Sequence, residues 1–396
     1  MPKSEEKLSI LGYGCMRLPT KAGRIDKEKA LKQIRSAIDK GVNYLDTAYL
    51  YHLGASESFL GSHVLKNGYR EKVNIATKLP PFMVNKKEDM EKILNKQLSK
   101  LQIEHIDYYL LHGLDGTSWK KLLGLGIIDF MDRIKSEKKV RNMGFSFHGT
   151  LEDFYKIIDG YNWDFCQVQF NMLDEYFQAG IDGINYAVSK NMGIIVMEPL
   201  RGGQLVGKIP GKVESIWKDA PIQRTPAEWA LRWVWNNPDI QVVLSGMNRD
   251  EHVEENIRIA SEAKPHSLSK EELNIINEAK QAYHDSLKIG CTGCRYCLPC
   301  PAGIDIPYAF QSYNNYHLFG KLQDKMMYVA NVGINKEKPA WTSNCIDCGK
   351  CEKACPQHIE VRKQFKNVQK DLEGPGMKLL AAIARPLLNR KQKKKK

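Results

Sequence analysis

Apolar positions along the chain alternate between short dry runs and longer amphipathic stretches. Residues 9–16 read as a strand, and residues 26–40 as a helix with Ala30, Leu31, Ile34, Ala37 and Ile38 on one face, stopped by Gly41. The same pattern predicts strands at 42–46, 73–77, 106–111, 140–146, 165–170, 194–198 and 241–246. Helices are expected near 57–66 and over 87–101, where Met90, Ile93, Leu94, Leu98 and Leu101 point inward. Thr225-Pro226-Ala227-Glu228 marks a further helix start, with a cap, a proline at the first helical position and a capping glutamate. These are eight strands with short connections, and no Gly-x-Gly-x-x-Gly follows the first of them. The expectation is an α/β fold, a closed (β/α)8 TIM barrel over residues 1–286, whose last helix spans 270–286.

Chemistry gathers where the strands end. The strand at 42–46 leads into Asp46 and Tyr51, the next into Lys78, and the one after that into His112. Any one of these is an ordinary residue, and a lone histidine is most simply a satisfied core group. Successive strands of a barrel, however, deliver their ends to one catalytic face. Asp46-Thr47-Ala48 with Tyr51, Thr77-Lys78 and Leu111-His112 resemble, in order and spacing, the tetrad of the aldo-keto reductase family, and the resemblance spans roughly residues 8–285. It implies Asp46, Tyr51, Lys78 and His112 as the catalytic group. Elementary chemistry agrees, because a carbonyl that accepts hydride needs a proton donor and a hydrogen-bonding environment for its oxygen. Tyr51 would supply the proton, Lys78 would draw its phenol toward neutrality, Asp46 would keep Lys78 charged, and His112 would orient the carbonyl.

The same resemblance implies NADP or NAD as hydride source, with the Arg249 side chain favouring NADP weakly. Ser146 and Gln167 match the residues that hold a nicotinamide carboxamide, although Phe147 and His148 stand where the family often has asparagine after the serine. Met197 occupies a position that is often aromatic. Pro199, Leu200, Gly202 and Gly203 resemble the segment over the pyrophosphate, and Ser245, Gly246, Met247, Arg249, Glu255 and Asn256 the adenosine-binding end.

Beyond the barrel the chemistry changes. Eight of the ten cysteines form two runs, Cys291-x2-Cys294-x2-Cys297-x2-Cys300-Pro301 and Cys345-x2-Cys348-x2-Cys351-x3-Cys355-Pro356. Consecutive CxxC spacing followed by proline is the ferredoxin way of holding [4Fe-4S] clusters; zinc sites use separated CxxC pairs, and disulfides belong to oxidising compartments. Residues 287–373 therefore read as a small, mostly helical, ferredoxin-like domain with two clusters. In dicluster ferredoxins the fourth cysteine of a run serves the other cluster, which implies one cluster on Cys291, Cys294, Cys297 and Cys355 and the other on Cys345, Cys348, Cys351 and Cys300. Residues 305–344 should pack as helix between them, while Cys15 and Cys166 read as small core residues. The whole chain thus resembles the iron-sulfur branch of the family.

Composition adds limits. Hydrophobic residues at 42% and charged residues at 27% are ordinary for a globular chain, and no apolar run reaches the ~20 residues of a membrane helix. The N-terminus lacks a secretory apolar core, so the expected location is cytoplasmic. Eight of the net +13 charges lie in residues 374–396, which contain no acid, leaving +5 elsewhere and no nucleic-acid-binding motif. That segment reads as a disordered basic tail rather than a membrane-surface helix. The expected activity is reduction of an aldehyde or ketone by hydride from NAD(P)H, with the clusters exchanging electrons with a carrier such as ferredoxin. Hydride moves two electrons and a cluster moves one, so direct coupling would require a flavin, for which no motif is present. The rival reading is a redox-sensing or electron-transfer protein whose barrel binds nucleotide without turnover.

Overall fold

The computed structural model describes every residue except 4, 5, 208, 292, 294, 321, 335–337 and 394–396, together with the backbone alone over 387–393. Two compact units are present, one of residues 1–205 and 224–273, the other of residues 206–223 and 274–396.

In the first unit the strands are β1 (Leu11–Gly14), β4 (Tyr44–Asp46), β5 (Asn74–Leu79), β6 (Ile106–Leu114), β7 (Val140–Phe147), β8 (Phe165–Gln169), β9 (Gly193–Met197) and β10 (Ile240–Ser245), with a small hairpin of β2 (Thr20–Lys21) and β3 (Arg24–Ile25) after the first. The eight longer strands close into a parallel barrel in the order β1-β10-β9-β8-β7-β6-β5-β4. This is the expected (β/α)8 architecture. The interior is filled by Tyr44, Ala76, Tyr108, Leu110, Phe165, Ile195, Val242 and Leu244, while the outward faces of the strands bury against the helices. In helix Lys27–Asp39 the buried positions include Ala30, Ile34, Ala37 and Ile38, and Asp26 caps it by accepting from the Lys29 amide. The expected Thr225 cap is present, accepting from the Glu228 amide at 3.1 Å. Glu228, however, does not turn back toward the cap. Its carboxylate meets Arg232 at 2.8 Å and Arg258 at 2.6 Å, because two guanidinium groups offer a better partner than one backbone amide.

The second unit holds its own apolar core, which includes Ile289, Ile304, Phe310, Tyr328, Trp341, Phe365 and Leu372. Helices Ile306–Phe319, Leu322–Val329 and Val361–Leu372 supply most of it. The basic tail departs from expectation. Residues Pro375–Lys393 form a helix that continues through Pro386, and Ala381 is buried in the core with Met377 packed beside it. Those two apolar contacts hold the first turns of a segment whose charge density alone argued for disorder. Among the described residues no helix is long and apolar enough to cross a membrane.

Candidate active site

Three neighbouring strands end together at one mouth of the barrel. Register pairs Gly14 with Asp46, Asp46 with Ala76, and Lys78 with Leu110, so the strand ends that carry Asp46, Lys78 and His112 lie side by side. Tyr51 opens the turn that follows β4, where His52, Leu53 and Gly54 all take left-handed backbone at φ 52°, 57° and 88°. Two consecutive non-glycine residues in that region mark a backbone held by its surroundings. One restraint is His52, whose Nε2 accepts from the Leu18 amide at 3.2 Å.

Lys78 is fully buried, and its ammonium donates to Asp46 Oδ2 at 2.6 Å and to the Thr47 carbonyl at 2.9 Å. It also lies 5.1 Å from the centroid of the Tyr51 ring, with the phenol hydroxyl within hydrogen-bond reach. The His112 ring stands nearly perpendicular to that of Tyr51, with centroids 6.1 Å apart. All four expected residues are thus brought together.

Burial sets their protonation. It penalises the Lys78 ammonium, yet Asp46 and Tyr51 facing it hold the group above its ordinary value. Burial likewise lifts the Asp46 carboxyl against the pull of Lys78. For Tyr51 the sequence-based expectation is reversed: desolvation outweighs the pull of Lys78 and raises the phenol above its usual 10.0. His112 is pushed down to about 3 by burial and by the neighbouring Lys78, so its imidazole is neutral across the physiological range. A proton-bearing phenol, a fixed cation and a neutral imidazole converge on one point.

A second buried carboxylate stiffens this group from behind. Glu57 accepts from Thr77 Oγ1 and Gln97 Nε2, both at 2.7 Å, and pairs with Lys100 at 3.1 Å. Gln97 also donates to the Lys78 carbonyl at 3.1 Å, which ties the end of β5 to the helix Lys87–Leu101. None of this network was apparent from spacing.

The nucleotide candidates occupy the adjoining strand ends. Ser146 and Gln167 face each other in register across β7 and β8, and both are buried. Ser146 Oγ accepts from the Gly113 amide at 2.7 Å. Gln167 donates through Nε2 to the Met197 sulfur at 3.3 Å, while its Oε1 is buried without a hydrogen-bond partner. An unpaired buried acceptor costs about 1–3 kcal/mol, and the amide NH2 of a nicotinamide would satisfy it. Phe147 is wholly buried against Phe154, so the exposed ring at this corner is His148.

Beyond Met197, Pro199 is buried and Leu200 half-buried. Gly202 and Gly203 adopt φ 65° and 86°, and the remainder of this connection, 206–223, belongs to the second unit. At the other flank, Ser245 Oγ accepts from Asn256 at 2.9 Å, the Met247 carbonyl accepts from Tyr13, and Glu255 accepts from Thr225. Gly246 and Arg249 are exposed. One residue that the sequence reading missed is Arg17. Its guanidinium donates to the Gly202 carbonyl at 2.9 Å, and its stem passes beside Gly246, where an added Cβ would come within 3.2 Å. It therefore bridges both glycine segments. Replacing Gln167 by leucine should raise KM for the nucleotide about tenfold and leave kcat nearly unchanged, a split read directly from steady-state kinetics.

In the second unit Cys291, Cys297 and Cys355 line one small cavity with Ile306, Phe310, Ile359 and Val361. Cys345 is held above the usual thiol range by burial first and, with lesser charges, by Cys300 and Cys348; Cys351 is raised by burial first and then, among others, by Cys345. These four sulfurs share a second neighbourhood. Cys294 lies outside the described residues. No disulfide joins the described cysteines, and among the described residues no group of His, Cys, Asp and Glu side chains converges tightly enough to hold a single metal ion. A cube takes its thiolates at separate corners, so a spread set of sulfurs around an apolar cavity fits it. Cys15 and Cys166 are buried in the barrel core.

Comparison with known proteins matches two stretches of the chain. The profile of the aldo/keto reductase family matches residues 10–281, and that of a 4Fe-4S dicluster domain matches residues 290–360. L-galactose dehydrogenase of Arabidopsis thaliana is 25% identical over 293 residues, covering 68% of this chain and 89% of the relative. The NADH-specific methylglyoxal reductase of Escherichia coli is 25% identical over 297 residues, covering 63% and 89%. A solved aldo-keto reductase from Bacillus halodurans, in its holo form, superposes with a TM-score of 0.59 at 25% identity, covering 70% of this chain and 94% of that one. One from Klebsiella pneumoniae in complex with NADPH reaches 0.54 at 22%, covering 68% and 90%, a likeness of fold alone. Barrel, strand-end chemistry and family profile all coincide over the same stretch, and the chain belongs to the aldo/keto reductase family, as an oxidoreductase of its iron-sulfur branch.

Proposed function

We propose that the barrel reduces an aldehyde or ketone with hydride from NAD(P)H, and that the second unit carries two [4Fe-4S] clusters able to exchange electrons with a small carrier such as a ferredoxin. The observation that carries the first half is the buried Lys78 ammonium, held between Asp46 and the Tyr51 hydroxyl at the barrel mouth. Reduced nicotinamide supplies the hydride. Ser146 and the unpaired Gln167 Oε1 hold its carboxamide, and Arg17, Gly202 and Gly246 suit the phosphates beyond.

The chain's own part is proton and orientation chemistry. Neutral His112 donates a hydrogen bond that aligns the carbonyl oxygen, Tyr51 gives that oxygen a proton, and Lys78 stabilises the phenolate left behind. Asp46 keeps Lys78 charged throughout. The clusters are assigned to Cys291, Cys294, Cys297 and Cys355 and to Cys345, Cys348, Cys351 and Cys300, on the support of the two sulfur neighbourhoods for the described cysteines and of spacing for Cys294. NADP is the preferred nucleotide on the strength of Arg249.

Wild-type protein should oxidise NADPH only when a carbonyl is present. The acid form of Tyr51 is the active one and its phenol is raised above 10.0, so kcat/KM should stay level from about pH 6 to 9 and fall only above pH 10. His112 adds no acid limb in that window, because its charged form appears only near pH 3. Nucleotide binding without carbonyl-dependent turnover would instead support the sensor reading.

A further inference from the structure

His148 sits at the corner of the mouth and is used by none of the steps above. Its amide donates to the Leu114 carbonyl at 2.9 Å, which fixes the backbone at the end of β7. Its Cδ2, bonded to Nε2, faces Gly113, the residue after His112, whose added Cβ would lie 3.9 Å from it. The ring is exposed, and its Nε2-bearing edge is the one turned toward Gly113, on the strand end that carries His112.

What makes this histidine specific is a chain of side-chain amides behind it. The anchor is Asp174, buried and paired with Arg201 Nε at 3.0 Å. A carboxylate only accepts, so Gln169 Nε2 must be the donor to Asp174 Oδ2, at 3.0 Å. That leaves Gln169 Oε1 as acceptor from Gln178 Nε2 at 3.1 Å. Gln178 Oε1 in turn must accept from His148 Nδ1 at 3.2 Å. The direction of every bond follows from the one at the buried carboxylate. Neutral His148 therefore carries its proton on Nδ1 and presents the bare lone pair of Nε2 to the mouth.

A fixed acceptor beside the carbonyl site has a natural partner, a hydroxyl on the substrate carbon next to the reacting one. We infer that His148 is a substrate-binding residue selecting hydroxy-carbonyl compounds, 2-hydroxyaldehydes in particular, with Gln178, Gln169 and Asp174 as its positioning residues. The inference rests on the reductase reading and narrows its substrate class. A site built to hydrogen-bond a hydroxyl discriminates against the analogue lacking it more strongly than an apolar pocket does against an added methylene.

The test compares 2-hydroxypropanal with propanal as substrates of the anaerobically purified, full-length holoprotein with NADPH. Wild type should favour the hydroxyaldehyde in kcat/KM. His148→Leu should lower kcat/KM for 2-hydroxypropanal about tenfold and leave propanal within about twofold, and His148→Gln, which retains an acceptor, should recover part of the loss. Gln178 has φ 59°, so Gln178→Asn suits its backbone while shortening the link; about a threefold loss confined to the hydroxyaldehyde is expected. Equal losses on both substrates, or none on either, would overturn the assignment while leaving a working reductase. A preference for a 2-oxo acid that collapses in His148→Leu would overturn it in favour of an anion site. No turnover of either aldehyde by wild type would remove the reductase reading, and this inference with it.

Discussion

Tyr51→Phe will lower kcat for carbonyl reduction by about 10³- to 10⁴-fold while nucleotide affinity stays within a few-fold of wild type. The phenol ring packs at a restrained turn and its hydroxyl faces the Lys78 ammonium, so the substitution removes one oxygen and little else. It leaves Lys78 with Asp46 Oδ2 and the Thr47 carbonyl as partners, so the buried cation stays paired and the fold should persist. The measurement is steady-state kinetics beside equilibrium nucleotide titration of the same preparation. A fall in both quantities together would point to a collapsed site rather than a missing proton donor. Unchanged kcat would remove Tyr51 from the chemistry.

Cys355→Ser will strip one cluster and spare the other, lowering bound iron and acid-labile sulfide by about half. The residue belongs to the second run of cysteines but shares its cavity with Cys291 and Cys297 of the first. The sharper form is a double-mutant comparison. Cys291→Ser combined with Cys355→Ser should lose no more iron than either alone, because both serve one cube, whereas Cys291→Ser with Cys345→Ser should lose nearly all of it. If each run holds its own cube, both combinations should lose nearly all of it. Iron analysis and EPR of anaerobically purified protein distinguish the patterns.

Much of this could be read before any coordinates, for physical reasons. A barrel strand is a short apolar run with one reactive residue at its end, so Asp46, Lys78 and His112 announce themselves by position. Cluster ligation is local in sequence, so the runs at 291–300 and 345–355 stand out, even though the meeting of Cys291 with Cys355 is a tertiary fact. What stayed hidden is what depends on packing. Glu57 and Gln97 look like solvent-facing helical residues and instead form a dry network behind Lys78. Arg17 carries no motif and gains meaning only by lying across Gly202 and Gly246. The direction of the Tyr51 shift differs from expectation because a sequence displays the cation beside it but not the desolvation that outweighs it. The start of the tail differs likewise: Met377 and Ala381 pack on the second core, which its charge does not suggest.

The central claim is direct hydride transfer at the barrel mouth, independent of the clusters. It is tested by single turnover of anaerobic holoprotein with NADPH carrying deuterium at the transferred position of C4, followed by mass analysis of the alcohol formed from an aldehyde. The account predicts one deuterium on the carbinol carbon, in wild type and in Cys355→Ser alike. Deuterium lost to water, with an unlabelled alcohol, would mean that electrons pass through iron or flavin on the way and would contradict it.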